Sequence, residues 1–209
     1  MSTPRRALVV IDAQQEYFEG LLQVQYPDRE DSSARIVQAM DEADQADVPV
    51  VLVQHQAPAG SPVFAPESAT YPLRPEIEER AAGASLHVSK TFGSVFVGTG
   101  LEEWLREREI DTVTLVGYMT NNCVLASAAG AEPLGISVEV LSDATGAIDL
   151  VNEAGSASAR QVHETIMALL NSNWASVATT QTWTEAVRAQ AALPGDNLIE
   201  SAARGRAQA

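Results

Sequence analysis

A chain of 209 residues, 45% apolar and 20% charged, suits one soluble domain with a full hydrophobic core. Thirteen Lys and Arg against 28 Asp and Glu give a net charge of −15, a surface that repels phosphate backbones and argues against nucleic acid as a partner. One cysteine cannot form an internal disulfide, and no Cys/His cluster has zinc spacing, so a reducing, cytoplasmic setting is expected.

The elements alternate along the chain. Ala7 to Ile11 reads as a buried strand; ended by Asp12, it is too short for a signal-peptide core. Ser32 to Ala46 reads as a helix with Ile36, Val37, Met40 and Ala43 on one face. Val48 to Val53 is a second strand, followed by a long Pro/Gly/Ser/Ala-rich loop over 54–75. Leu86 to Ser89 is a third strand, Leu101 to Arg108 a helix, and Thr112 to Val116 a fourth strand. Asn122 to Ala131 reads as an Ala-rich helix and Ile136 to Leu141 as a fifth strand. A long helix is expected over Asn152 to Leu170, capped by Asn152 or Asp149. Ala175 to Ala178 is a sixth strand and Thr182 to Ala191 a last helix. Apolar strands separated by helices imply a parallel sheet covered on both faces. Residues 1–190 are expected to form one domain, with 191–209 as a frayed tail or an oligomerisation arm. No run is long enough to span a bilayer, so no membrane partner is expected.

In doubly wound sheets ligands bind beyond the carboxyl ends of the strands. Three reactive side chains fall there: Asp12 after the first strand, Lys90 after the third and Cys123 after the fourth. Each alone has an ordinary explanation, as a turn residue, a solvated charge and a buried inert thiol. Together, an acid, an amine and a thiol can build a nucleophilic site. At the start of a helix, Cys123 also faces unpaired N–H groups and the positive end of the macrodipole, which favours thiolate and predicts a thiol pKa below the ordinary value.

At these residues the chain resembles the isochorismatase-like cysteine hydrolases, a superfamily that includes isochorismatases, nicotinamidases, N-carbamoylsarcosine amidases and ureidoacrylate amidases. The matching stretches are Ala7 to Phe18 around Asp12, Lys90 to Phe96, Gly117 to Val124 around Cys123, and Val138 to Ala144. The resemblance spans about residues 7 to 170. It implies a three-layer doubly wound α/β fold with a six-stranded parallel sheet in the order 3-2-1-4-5-6. It implies a triad of Asp12, Lys90 and Cys123, a cis peptide between Tyr118 and Met119, and an oxyanion hole made by the backbone N–H groups of Met119 and Cys123. The family also commonly assembles, so a homo-oligomer is expected.

No catalytic histidine is needed. His87 and His163 read as structural. Nicotinamidases carry an Asp-x-His metal motif where this chain has Val53-Gln54-His55. The Asp is missing, so neither a metal nor another cofactor is expected. Gln14, Tyr17, His55, Phe92, Tyr118 and Asn121 are candidate substrate contacts, with Phe96 and the loop from His55 to Phe64 beside them, while Asp143 fixes a turn. The expected activity is hydrolysis of a C–N bond in a small amide, lactam or carbamoyl compound through a Cys123 thioester. The alternatives are isochorismatase-type vinyl ether hydrolysis and a non-catalytic small-ligand-binding protein of the same fold.

Overall fold

The computed structural model describes residues 3–208. Among them the strands are β1 (Arg6–Ile11), β2 (Val50–His55), β3 (Leu86–Lys90), β4 (Thr112–Tyr118), β5 (Ser137–Gly146), the short β6 (Leu150–Asn152) and β7 (Gly155–Ala157), and β8 (Ser176–Ala178). The α-helices are α1 (Arg29–Gln45), α2 (Pro75–Glu78), α3 (Leu101–Glu107), α4 (Leu125–Ala131), α5 (Ala159–Asn173), α6 (Thr180–Arg188) and α7 (Leu198–Gln208). Six strands form one parallel sheet in the order β3-β2-β1-β4-β5-β8. This is the expected 3-2-1-4-5-6 order, with the antiparallel hairpin β6–β7 inserted before the last strand.

Strand β1 shows how the layers arise. Its side chains alternate, so Leu8 and Val10 enter one core with Ile36 and Met40 of α1 and Trp183 of α6. Ala7, Val9 and Ile11 enter the other with Leu101 and Leu105 of α3, Ala128 of α4 and Leu170 of α5. Both faces of β1 are therefore sealed, and its functional end must be its carboxyl edge. At the opposite edge a buried ionic cluster joins three strands and α6. Arg6 donates to both oxygens of Glu139, which also accepts from Thr114 Oγ1 (2.8 Å) and Trp183 Nε1 (3.1 Å). Paired and fully hydrogen-bonded, these charges escape the penalty that an isolated buried ion incurs.

Several boundaries differ from the sequence expectation. Helix α1 starts at Arg29, because Asp28 accepts from Glu30 N and Asp31 N as its N-cap. The long helix expected from Asn152 does not form there. Residues 150–157 fold as the β6–β7 hairpin, and α5 begins at Ala159 behind a capping box of Ser158 and Gln161. Asp149 nonetheless reaches the helix start, accepting from Ala159 N at 2.6 Å. Asp143 accepts from Thr180 N and Oγ1 and so fixes the start of α6. The segment expected as a frayed tail contains α7, which packs on α5. No helix among the described residues is long and apolar enough to cross a membrane.

Gly117 sits where the β4–β5 register shifts, with φ of +100°. A Cβ there would lie 2.1 Å from Ile11 O. Positive φ and this close approach both demand glycine. Gly117→Ala is expected to cost about 2–3 kcal/mol, read as a lower urea midpoint; an unchanged midpoint would show that β1 and β4 do not crowd here.

Candidate active site

The sheet registers bring the site together. Ile11 pairs with Val53 on one side and Gly117 on the other, so Asp12 emerges between β2 and β4. Asp12 adopts φ of +50°, and its N–H donates to Val53 O (2.8 Å), turning the fully buried carboxylate across the strand ends. In the β2–β3 pairing His55 is the direct partner of Lys90. Lys90 is the chain's only lysine against 12 arginines, and it is 2% exposed.

Its ammonium nitrogen is the centre of the site. Nζ lies 2.6 Å from Asp12 Oδ2, 3.0 Å from His55 Nδ1, and 3.2 Å from both Phe92 O and Cys123 Sγ. Cys123 is carried by a π-helical turn, Thr120–Val124, which follows a cis Tyr118–Met119 bond. The expected α-helix from Asn122 therefore starts later, at Leu125. The turn is fixed on two sides. Ser127 Oγ donates to Cys123 O (2.6 Å) and accepts from Val95 N (3.1 Å). Thr120 Oγ1 pairs with His163 Nδ1 of α5 at 2.9 Å.

Burial governs the proton balance. It raises the Asp12 carboxyl to about 6, with the Lys90 charge pulling the other way. Burial, then the Asp12 charge, pushes the Cys123 thiol up to about 12. The expectation of a lowered thiol pKa is thus overturned: desolvation and a facing carboxylate outweigh the ammonium. Near neutral pH the site holds a thiol beside a carboxylate, and Asp12 Oδ1 has no hydrogen-bond partner among the described residues. His55 is lowered to about 4 by burial and then by Lys90, so its ring is neutral.

The remaining candidates fall into three groups. Tyr17 is buried near the site, and its phenol is held well above its ordinary pKa by burial and then by the Asp12 charge. Asn121 is partly buried on the Cys123 turn, its Oδ1 without a partner among the described residues, and Phe92 is 60% exposed beside Lys90. Three others are taken up by structure. Gln14 is buried, its amide donating to His55 O and Tyr71 O and accepting from His55 N. Tyr118 is buried in the core on the α1 side, its hydroxyl 2.7 Å from Ser32 Oγ, so only its backbone serves the site. Phe96 packs into the opposite core.

Sequence reasoning passed over Ser127, whose i+4 spacing from Cys123 was its one signal. It also passed over Glu16, a buried carboxylate that accepts from Leu21 N (2.7 Å) and Thr70 Oγ1 (2.6 Å) and ties the loop after Asp12 to the long loop after β2.

Ligand atoms of Asp12, His55 and Cys123 lie within 4.8 Å of one another, a spacing that could hold a metal ion. All three, however, are turned on the Lys90 ammonium, which an ion bound to the set would have to displace. The donor set does not fit a resident metal.

Comparison with known proteins agrees with this architecture. A Burkholderia xenovorans LB400 protein assigned to the isochorismatases, solved by crystallography, is 46% identical with a TM-score of 0.96, covering 99% of each chain. A secreted isochorismatase effector of Verticillium dahliae is 34% identical over 149 residues, 71% of this chain and 76% of its own. A nicotinamidase of Acinetobacter baylyi is 46% identical over 52 residues, 25% of this chain and 24% of its own. The isochorismatase domain matches residues 6–182, from the first strand of the sheet through the last. The chain belongs to the isochorismatase family and is a hydrolase.

Proposed function

We propose that the protein hydrolyses a C–N bond in a small amide, lactam or carbamoyl compound through a Cys123 thioester. The observation that carries this reading is the placement of Lys90 Nζ between the Asp12 carboxylate (2.6 Å) and Cys123 Sγ (3.2 Å) in a buried setting. The identity to a nicotinamidase, a protein named for an amide substrate, supports the choice of bond.

Asp12 takes the thiol proton as sulfur attacks the carbonyl carbon, and Lys90 stabilises the sulfur anion as it forms. Burial and the Asp12 charge hold the thiol up to about 12, so its proton leaves to Asp12 as the bond to carbon forms. The carbonyl oxygen becomes an oxyanion, received by the backbone N–H groups of Met119 and Cys123. Asp12 then protonates the departing nitrogen, the C–N bond breaks, and a thioester remains. Ionised again, Asp12 takes a proton from water, which attacks the thioester and releases the acid and the thiol.

Asp12 must be ionised to begin, so kcat/KM is expected to rise with pH through a midpoint near 6. A profile flat from pH 5 to 8 would remove Asp12 as the base. The reading itself is tested with a panel of amides, lactams, ureido acids and isochorismate, followed by intact-mass detection of an acyl-enzyme on Cys123. Turnover of isochorismate alone, with no acyl adduct, would replace C–N hydrolysis by vinyl ether hydrolysis.

A further inference from the structure

We propose that His55 is a positioning residue that aims the Lys90 ammonium at Cys123 by accepting one of its protons at Nδ1. The inference rests on Asp12, Lys90 and Cys123 being the reacting set.

An ammonium has three N–H donors in tetrahedral array and no acceptor. Lys90 meets four acceptors: Asp12 Oδ2, His55 Nδ1, Phe92 O and Cys123 Sγ. His55 Nδ1, at 3.0 Å, is closer than either Phe92 O or Cys123 Sγ. The hydrogen bonds to His55 Nδ1 and Phe92 O each fix one N–H, so the third is left facing the sulfur and the rotation of Nζ is decided, while Asp12 Oδ2 pairs with the ammonium by charge at 2.6 Å.

His55 is itself clamped. Its backbone N–H donates to Gln14 Oε1 (2.9 Å), and its carbonyl accepts from Gln14 Nε2 (3.2 Å). Its ring packs on Phe64, centroids 4.9 Å apart, and Phe64 packs in turn on Tyr17. The β2–β3 register sets its Cα directly opposite that of Lys90.

The residue type also fits the task. A second carboxylate here would direct Lys90 but would cancel the charge that the forming thiolate needs. A neutral imidazole directs without cancelling. The charged or titratable groups grouped around it are Lys90, Asp12 and Cys123. With its pKa lowered to about 4, the ring stays an acceptor wherever Asp12 is ionised.

Cys123 is the only cysteine, so its alkylation by iodoacetamide, itself a small amide, can be followed by intact mass across pH. His55→Leu is expected to slow labelling at pH 7.5 at least about tenfold, the worth of one hydrogen bond to a charged group, and to move the labelling midpoint to higher pH. His55→Asn places Oδ1 where Nδ1 stands and is expected to label within about threefold of the parent protein. His55→Gln places its oxygen near the Nε2 position and is expected to behave like leucine. If the leucine variant does not fold, the Asn–Gln contrast decides alone.

Lys90→Met separates the two layers of the argument. If it slows labelling while the His55 variants label like the parent, the positioning role is overturned and the reacting set stands. If Lys90→Met also labels like the parent, both are overturned.

Discussion

Cys123→Ala is expected to reduce turnover by roughly four orders of magnitude or more on any compound the protein hydrolyses through a thioester. No other thiol exists in the chain to substitute for it. The fold should survive, because Cys123 packs as a small buried residue at the edge of one core and its turn is held by Ser127 and His163 rather than by its sulfur. Thermal unfolding and steady-state rates on the same preparation make the test. Activity within tenfold of the parent, in a folded variant, would show a thiol-independent route.

The second large effect is on stability. Lys90→Met leaves the fully buried Asp12 carboxylate without its counter-charge, a change expected to cost about 3–5 kcal/mol at pH 8. The sign of its pH dependence follows from Asp12. Its folded pKa is raised from 3.8 to about 6, so its contribution is full below about 4 and is lost as pH rises through 6, by about 3 kcal/mol in the parent protein. Without Lys90 the carboxyl is raised further, and the penalty of the variant grows between pH 5 and 8. Adding Asp12→Asn removes the stranded charge and is expected to restore most of the loss. Urea unfolding of the two single variants and the double variant at both pH values gives the coupling. Additive, pH-independent effects would mean that the pair does not interact as its 2.6 Å separation requires.

The layout of the sheet was legible because short, β-branched runs such as Ala7 to Ile11 and Thr112 to Val116 read as buried strands, and because helices separate them. Asp12 was legible as a candidate because it directly follows such a run, Lys90 because it closes the third strand, and Cys123 because it lies in the turn between the fourth strand and an Ala-rich stretch. The β6–β7 hairpin was not. Its strands are three residues each and mostly exposed, so no apolar pattern marks them, and the helix signal that lay nearby was the Ser158–Gln161 box. The thiol was misjudged for a different reason. Position along the chain places Cys123 near a helix start, but desolvation depends on the three layers closing over it, which no local pattern records. The contact of His55 with Lys90 depends on strand register and was equally hidden. Tyr118 and Gln14 lie beside the site in sequence and point into structure instead.

The single buried lysine also makes the candidate active site a sensor of folding. A lysine-specific protease has one target bond in this chain, after residue 90, and that residue is the last of β3 with its side chain 2% exposed. Cleavage there must wait until β3 leaves the sheet edge or the whole sheet opens. The appearance of two fragments therefore reports the opening of the site itself, on a clock set by its stability when reclosing outruns the protease. The same cut severs Asp12 and His55 from Cys123, so the first proteolytic event recorded would also separate the candidate base from the candidate nucleophile.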